Sequence, residues 1–192
     1  TPVTRMRLGI ALASQRRYDE AMGCFEAAVH AAPDFPDAHY NLGNALLELR
    51  RPEDALACFR RALALNPDHV DAHSAMGRAL RQLGRLDEAI SAYRRALELN
   101  KDHVLVHHNM GNALLELKRP EEALASYDRA LVLKPDHADA LTNRGRALQA
   151  LKRLEEALAS YDRALAVNPD HAEALCNRGR AFLEQGKIVQ AR

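Results

Sequence analysis

Asparagines stand at one recurring place in this chain: Asn41, Asn109, Asn143 and Asn177. A carboxamide carries a donor and an acceptor on one short stem, which suits the N–H and C=O of a peptide backbone. Three residues on runs a second polar column: Asn44, Arg78, Asn112, Arg146 and Arg180. A guanidinium offers forked donors to a carboxylate or a phosphate. Leu47, Arg81 and Leu115 follow three residues further, and Tyr40 and His108 sit just ahead of Asn41 and Asn109. These residue types hold a ligand and transform nothing. The expected ligand is an extended peptide gripped by amides, or an acidic segment gripped by Arg78, Arg146 and Arg180. The same residues also admit a structural use. An asparagine beside a packed helix crossing can tie two helices together, and the arginines can pair with neighbouring glutamates.

Other chemistry finds little support. His69 and His73, like His103 and His107, stand four apart and share a helix face. Two ligands are too few for a structural zinc, which takes four. We read His69, His103, His137 and His171 as residues of a helix-start turn, and His39, His73 and His107 as bulky packing residues. No metal and no cofactor is expected. The glycines sit mid-helix and so cradle no phosphate, no Cys-x-x-Cys pair occurs, and acids and bases are spread evenly along the chain. No enzymatic activity is expected.

The elements that must position the amides follow from a strict period. Glycine recurs every 34 residues, at Gly9, Gly43, Gly77, Gly111, Gly145 and Gly179. Twelve residues after each stands Ala21, Ala55, Ala89, Ala123, Ala157 or Ala191. Sixteen after stands Phe25, Phe59, Tyr93, Tyr127 or Tyr161, and nineteen after a second alanine, Ala28, Ala62, Ala96, Ala130 or Ala164. Glycine and alanine allow two helices to approach closely, and the aromatic fills the space between one pair and the next. This period belongs to a two-helix unit that cannot bury its apolar face alone, so neighbours must stack. The fold class is therefore all-α. Repeats run over 2–35, 36–69, 70–103, 104–137 and 138–171, with a partial sixth over 172–192.

Local signals agree. Asp68, Asp136 and Asp170 are read as caps of the first helices, each followed three residues on by an acid. A basic turn ends each first helix, and acid pairs such as Glu53-Asp54 and Asp87-Glu88 open each second helix. Asn66-Pro67, Lys134-Pro135 and Asn168-Pro169 stop the second helix, because the residue before proline avoids helical angles. Lys101 replaces that proline once, and a softer stop is expected there. Arg144 and Arg178 occupy a column that is Leu8, Leu42, Met76 and Met110 elsewhere. They are read as arginines with packed stems and heads in water.

The columns resemble those of the tetratricopeptide repeat family over nearly the whole chain. The resemblance implies a right-handed superhelical solenoid of antiparallel helix pairs, and a partner protein's peptide segment bound in the concave groove lined by the first helices. Asn44, Arg78, Asn109 and Arg146 resemble parts of the carboxylate clamp of co-chaperone members. That clamp's lysine places are Tyr40, Ser74 and His108 here. The asparagine column is also similar to the ladder on arrays attached to O-linked N-acetylglucosamine transferases.

Composition narrows the partners. Lys+Arg total 27 and Asp+Glu 26. A nucleic-acid binder shows a strong basic excess, so none is expected. No run of apolar residues reaches membrane length. Three cysteines, Cys24, Cys58 and Cys176, have no close mate, which suits a reducing, cytoplasmic setting. Both ends read as cuts from a longer array, so an alternative role is self-assembly through the terminal repeat near Phe182 and Ile188.

Overall fold

The computed structural model describes residues 1–186. They form eleven helices: α1 (Pro2–Ser14), α2 (Tyr18–Ala31), α3 (Pro36–Glu48), α4 (Pro52–Leu65), α5 (Val70–Gln82), α6 (Leu86–Leu99), α7 (Val104–Glu116), α8 (Pro120–Leu133), α9 (Ala138–Ala150), α10 (Leu154–Val167) and α11 (Ala172–Glu184). No strand occurs among the described residues. The chain divides into two compact units, 1–101 and 102–192. The first holds three antiparallel hairpins, α1–α2, α3–α4 and α5–α6. The second holds α7–α8, α9–α10 and α11. Within each unit, the second helix of one hairpin packs on the first helix of the next, as in a solenoid of helix pairs. Ala191 and Ile188 lie outside the described residues.

The glycine and the aromatic make the hairpin. Phe25, Phe59, Tyr93, Tyr127 and Tyr161 are all buried, and each lies against the glycine sixteen residues before it. Both alanine columns are fully covered within the described residues. No side chain larger than alanine fits where the helix backbones meet, while the ring fills the gap that two small residues leave.

The turn inside each hairpin has one geometry throughout. Arg16, Arg50, Gly84, Lys118, Lys152 and Gly186 adopt a left-handed backbone, with φ between 56° and 73°. In the second hairpin the Arg51 amide donates to the Leu46 carbonyl (2.9 Å) and the Arg50 amide to the Leu47 carbonyl (3.1 Å). That pair of bonds is the Schellman closure of a helix C-terminus. The basic turn thus serves backbone closure at one residue and side-chain bonding at the next. Arg17, Arg85, Arg119 and Arg153 each reach forward with two nitrogens to the glutamate three residues on, and Arg51 reaches Asp54. These bonds hold the carboxyls of Glu20, Glu88 and Glu156 below the usual carboxylate range.

Three expectations about local structure need correction. The cap of α5 is His69, whose Nδ1 accepts from the Ala72 amide at 3.3 Å, and His171 caps α11 in the same way. Asp68 lies one residue earlier and receives Arg95 instead. An imidazole nitrogen on a short stem reaches the third amide as a carboxylate does, so the cap signal moved by one residue. Lys101 does not soften the stop of α6. Asn100 ends it at φ −142°, ψ 94°, against −137°, 91° for Asn66 before Pro67. Lys134 and Ala32 end α8 and α2 in the same extended backbone, so at α6 this geometry needs no proline after it. The Arg144 head is not in water. Its Nε donates to Asp128 Oδ1 (2.6 Å) and its Nη1 to Ser160 Oγ (2.6 Å). His39 and His73 also do more than pack: each Nε2 stands 2.8 Å from the carbonyl of Pro33 or Pro67 and donates to it.

Candidate peptide-binding face

In the first unit the polar columns lie on α3 and α5. Their registry is set by the glycine crossings, which fix how each first helix is rotated against its second. Arg78 donates from Nη2 to Asn44 Oδ1 at 2.7 Å, joining consecutive repeats. Asn41 donates from Nδ2 to the Asp37 carbonyl of its own helix (2.7 Å). Its Oδ1 remains an acceptor. The Tyr40 ring packs beside Phe59 and His69, with centroids 6.3 and 4.9 Å away. Tyr40, Asn41, Asn44, Arg78 and Arg81 are half-buried, whereas Leu47 is only 3% exposed and belongs to the core.

The second unit carries His108, Asn109, Asn112 and Leu115 on α7, Asn143 and Arg146 on α9, and Asn177 and Arg180 on α11. Here the amides form a connected network. Asn112 Oδ1 accepts from the Tyr127 hydroxyl (2.7 Å) and from Asn143 Nδ2 (3.0 Å). Asn143 Nδ2 also lies 3.1 Å from His108 Nε2, and Asn143 Oδ1 accepts from Arg146 Nη1 at 3.0 Å. Asn143 is buried, so in this repeat the structural use of the column is realised. The His108 ring is flanked by Tyr127 and His137. Asn109 and Leu115 are half-buried at the surface of α7.

Asn177 differs from Asn143 one repeat before it. It is 6% exposed, yet its Nδ2 has no hydrogen-bond partner among the described residues. The cause is visible in the register. Asn143 donates toward Asn112 and His108; 34 residues on, those places are Arg146 and Thr142. A guanidinium has no acceptor, and Thr142, whose hydroxyl is turned to the Ala138 carbonyl of its own helix, makes no bond with the amide. The amide therefore lines a cleft of about 270 Å³ with Arg146, Arg180, Lys152, Gln149 and Glu184. Arg146 Nη1 reaches Glu173 at 3.3 Å, while Arg180 is exposed and its one hydrogen bond among the described residues goes to Cys176 Sγ, at 4.0 Å. Three cations against one lining carboxylate give this cleft a positive surplus.

Sequence reasoning passed over Tyr127, Tyr161 and Lys152 as parts of this face, while Gln149 falls in the column of Leu47, Arg81 and Leu115. The signal was the aromatic column changing from phenylalanine to tyrosine after Phe59. Tyr127 and Tyr161 send their hydroxyls to Asn112 and Gln149. Burial pushes the Tyr161 phenol well above its ordinary range, so it stays a donor.

Stacked helix hairpins with small residues at the crossings and a polar face on the first helices define a helical repeat protein. Tetratricopeptide repeat profiles match residues 6–55, 40–103 and 80–146, and a profile described as TPR repeat matches residues 145–186. The chain belongs to the tetratricopeptide repeat family. Among solved structures it is similar to TTC0263, a thermophilic TPR protein of Thermus thermophilus. The two share 27% identity over 95% of this chain and 100% of that one, with a TM-score of 0.75. It is also similar to YrrB, described as a TPR protein with an unusual peptide-binding site. There the identity is 25% over 92% of this chain and 91% of that one, with a TM-score of 0.73. PilW, a type IV pilus biogenesis factor, shares the fold at a TM-score of 0.92 and 19% identity, covering 99% of this chain and 88% of that one. No curated protein matches the sequence.

Proposed function

We propose that this chain is a non-catalytic interaction scaffold that takes a peptide segment of a partner protein on the face formed by its first helices. Family membership and the likeness to a peptide-binding TPR protein support the scaffold role. The single observation that carries the finer reading is Asn177: a buried amide donor without an acceptor among the described residues, lining one cleft with Arg146 and Arg180. A buried N–H left unsatisfied costs about 1–3 kcal/mol, and a ligand that supplies an acceptor recovers it. Two guanidiniums beside that donor favour an acceptor that is charged, so the segment is acidic in the second unit. In the first unit, Asn41 Oδ1, Arg78 and Arg81 offer a mixed surface suited to peptide backbone and neutral side chains.

The test is titration of a labelled, extended hexapeptide with two adjacent aspartates, followed by fluorescence anisotropy. Asn177→Ala, Arg146→Ala and Arg180→Ala should each weaken binding by about tenfold or more, since a hydrogen bond to a charged group contributes roughly 1.5–3 kcal/mol net of its exchange with water. The asparagine version of the peptide should bind weakly, and added salt should weaken the aspartate version. Unchanged affinity in all three variants, with melting profiles intact, would sink the acidic reading.

A further inference from the structure

The outer side of the first unit carries a second cleft, about 360 Å³, between α4 and α6 above α5. Its floor is apolar: Leu56, Met76, Leu80 and Ala92. None of its residues belongs to the amide columns. The polar groups around it are mostly spent. Glu88 is held by Arg85, Arg95 by Asp68 and Glu98, and Ser91 by the Asp87 carbonyl; His73 is held at Nε2 by the Pro67 carbonyl, while its buried Nδ1 has no partner among the described residues. Arg60, exposed on the α4 wall, makes no hydrogen bond or ion pair among the described residues. Only the field of its charge reaches Glu88.

The second unit shows what completes such a cleft. Sixty-eight residues on, Arg60, Met76 and Ala92 become Asp128, Arg144 and Ser160. There the Arg144 stem crosses the same register, and its head bonds Asp128 and Ser160, each at 2.6 Å. Arg178 and Asp162 repeat the pair at 3.0 Å in the next hairpin. In that register an arginine stem brings its charge to a carboxylate on the wall. In the first unit the wall charge has the opposite sign and the stem is missing. Met76 is half-buried in the cleft lining, and the wall presents a guanidinium in place of a carboxylate. The complement is therefore a group that no residue of the unit supplies: an apolar side chain carried next to a carboxylate.

We propose that the α4–α5–α6 cleft docks a partner's amphipathic helix, with a leucine-sized side chain seated on Met76 and Leu80 and an aspartate or glutamate on Arg60. Such a helix presents the two groups one turn apart, at i and i+4, and a leucine side chain fits the volume. This site lies apart from the first-helix face and takes its ligand independently.

The test uses the whole chain and a labelled, alanine-based helical peptide with leucine and aspartate at i and i+4. Saturable binding is expected, with a shift of the Met76 methyl resonance. The triple variant Arg60→Asp, Met76→Arg, Ala92→Ser imports the closed arrangement that the second unit already folds with. It should keep the native melting profile and lose at least tenfold in affinity. Replacing the peptide's aspartate by lysine should do the same on the native chain, and Arg60→Glu should restore binding of the lysine peptide. Equal binding by native and triple variant would overturn the proposal, as would binding without movement of the Met76 methyl. So would no binding at millimolar peptide. Self-association of the native chain that the triple variant abolishes would overturn it in favour of a second copy as occupant.

Discussion

A Cβ placed on Gly43 would stand 2.6 Å from Cε1 of Phe59. Phe59 is fully buried and cannot swing aside. Gly43→Ala is expected to destabilise the chain by about 1–3 kcal/mol, the cost of overpacking a closed core. Gly23 is the control, because it lies within α2 with nothing within 4 Å of its would-be Cβ. Gly23→Ala should stabilise by about 0.5–1 kcal/mol through helix propensity alone. Urea denaturation of both variants reads the two signs. A loss at both positions, or at neither, would show that the ring is not what demands glycine.

The left-handed residue of each hairpin turn gives a second pair of opposite signs. Arg50 and Lys118 hold φ at 60° and 56°, where a side chain clashes with its own backbone, while Gly84 holds 72° at no such cost. Arg50→Gly and Lys118→Gly should each raise stability by about 0.5–1 kcal/mol, the relief of strain exceeding the added freedom of the unfolded chain. Gly84→Lys should lower it by a similar amount. Denaturation midpoints check both, and a fall on introducing glycine would mean that the basic side chains bond more than the structure shows.

How far the residues announced themselves varies by column. The glycine, alanine and aromatic columns were legible because each answers one steric demand, repeated in every hairpin. Asn143 and Asn177 were not separable, since both stand two before a glycine. Their difference lies in residues 31 and 35 places back, Asn112 and His108 against Arg146 and Thr142. One-dimensional spacing along a helix does not show which neighbouring repeat supplies the acceptor. Leu47 was misjudged as surface for a related reason. The face of α3 that carries the amides is closed off by its last turn, where Leu47 is buried. Arg144 was half legible: its break from an apolar column was plain, while its partners sit on α8 and α10, a helix to each side.

That ion pair makes a third prediction. Arg144 is the more buried partner, with 22% of its side chain exposed against 48% for Asp128. Asp128→Ala leaves a half-buried guanidinium with Ser160 as its remaining partner and should cost about 1–2 kcal/mol. Arg144→Met leaves Asp128 in water and seats an apolar side chain, as Met76 does, so it should cost under about 1 kcal/mol. The double variant Asp128→Arg, Arg144→Met copies the arrangement of Arg60 and Met76 and should be near native. Urea midpoints of the set decide it; equal losses from the two single changes would mean that burial plays no part.

Cysteine reactivity separates the three thiols. Burial, then the charges of Asp54 and Glu26, push the Cys58 thiol up to about 11. Cys176 is exposed on α11. Attack on an alkylating agent requires the thiolate, and at pH 8 a thiol of pKa 11 is ionised in about one molecule per thousand. Iodoacetamide should therefore label Cys176 first in the folded chain, with Cys58 well behind. The Cys58 rate should climb about tenfold per pH unit and level off only near pH 11. The stability sign follows from the same shift. The folded state keeps the Cys58 proton after the unfolded state has shed it, so this contribution is whole below the ordinary thiol range. It is lost as pH rises through that range toward 11. Mass spectrometry of timed alkylation, with a urea-unfolded control in which all three cysteines react alike, measures the order. Early labelling of Cys58 in the folded chain would mean that α4 opens at that residue far more readily than its packing against α3 and α5 allows.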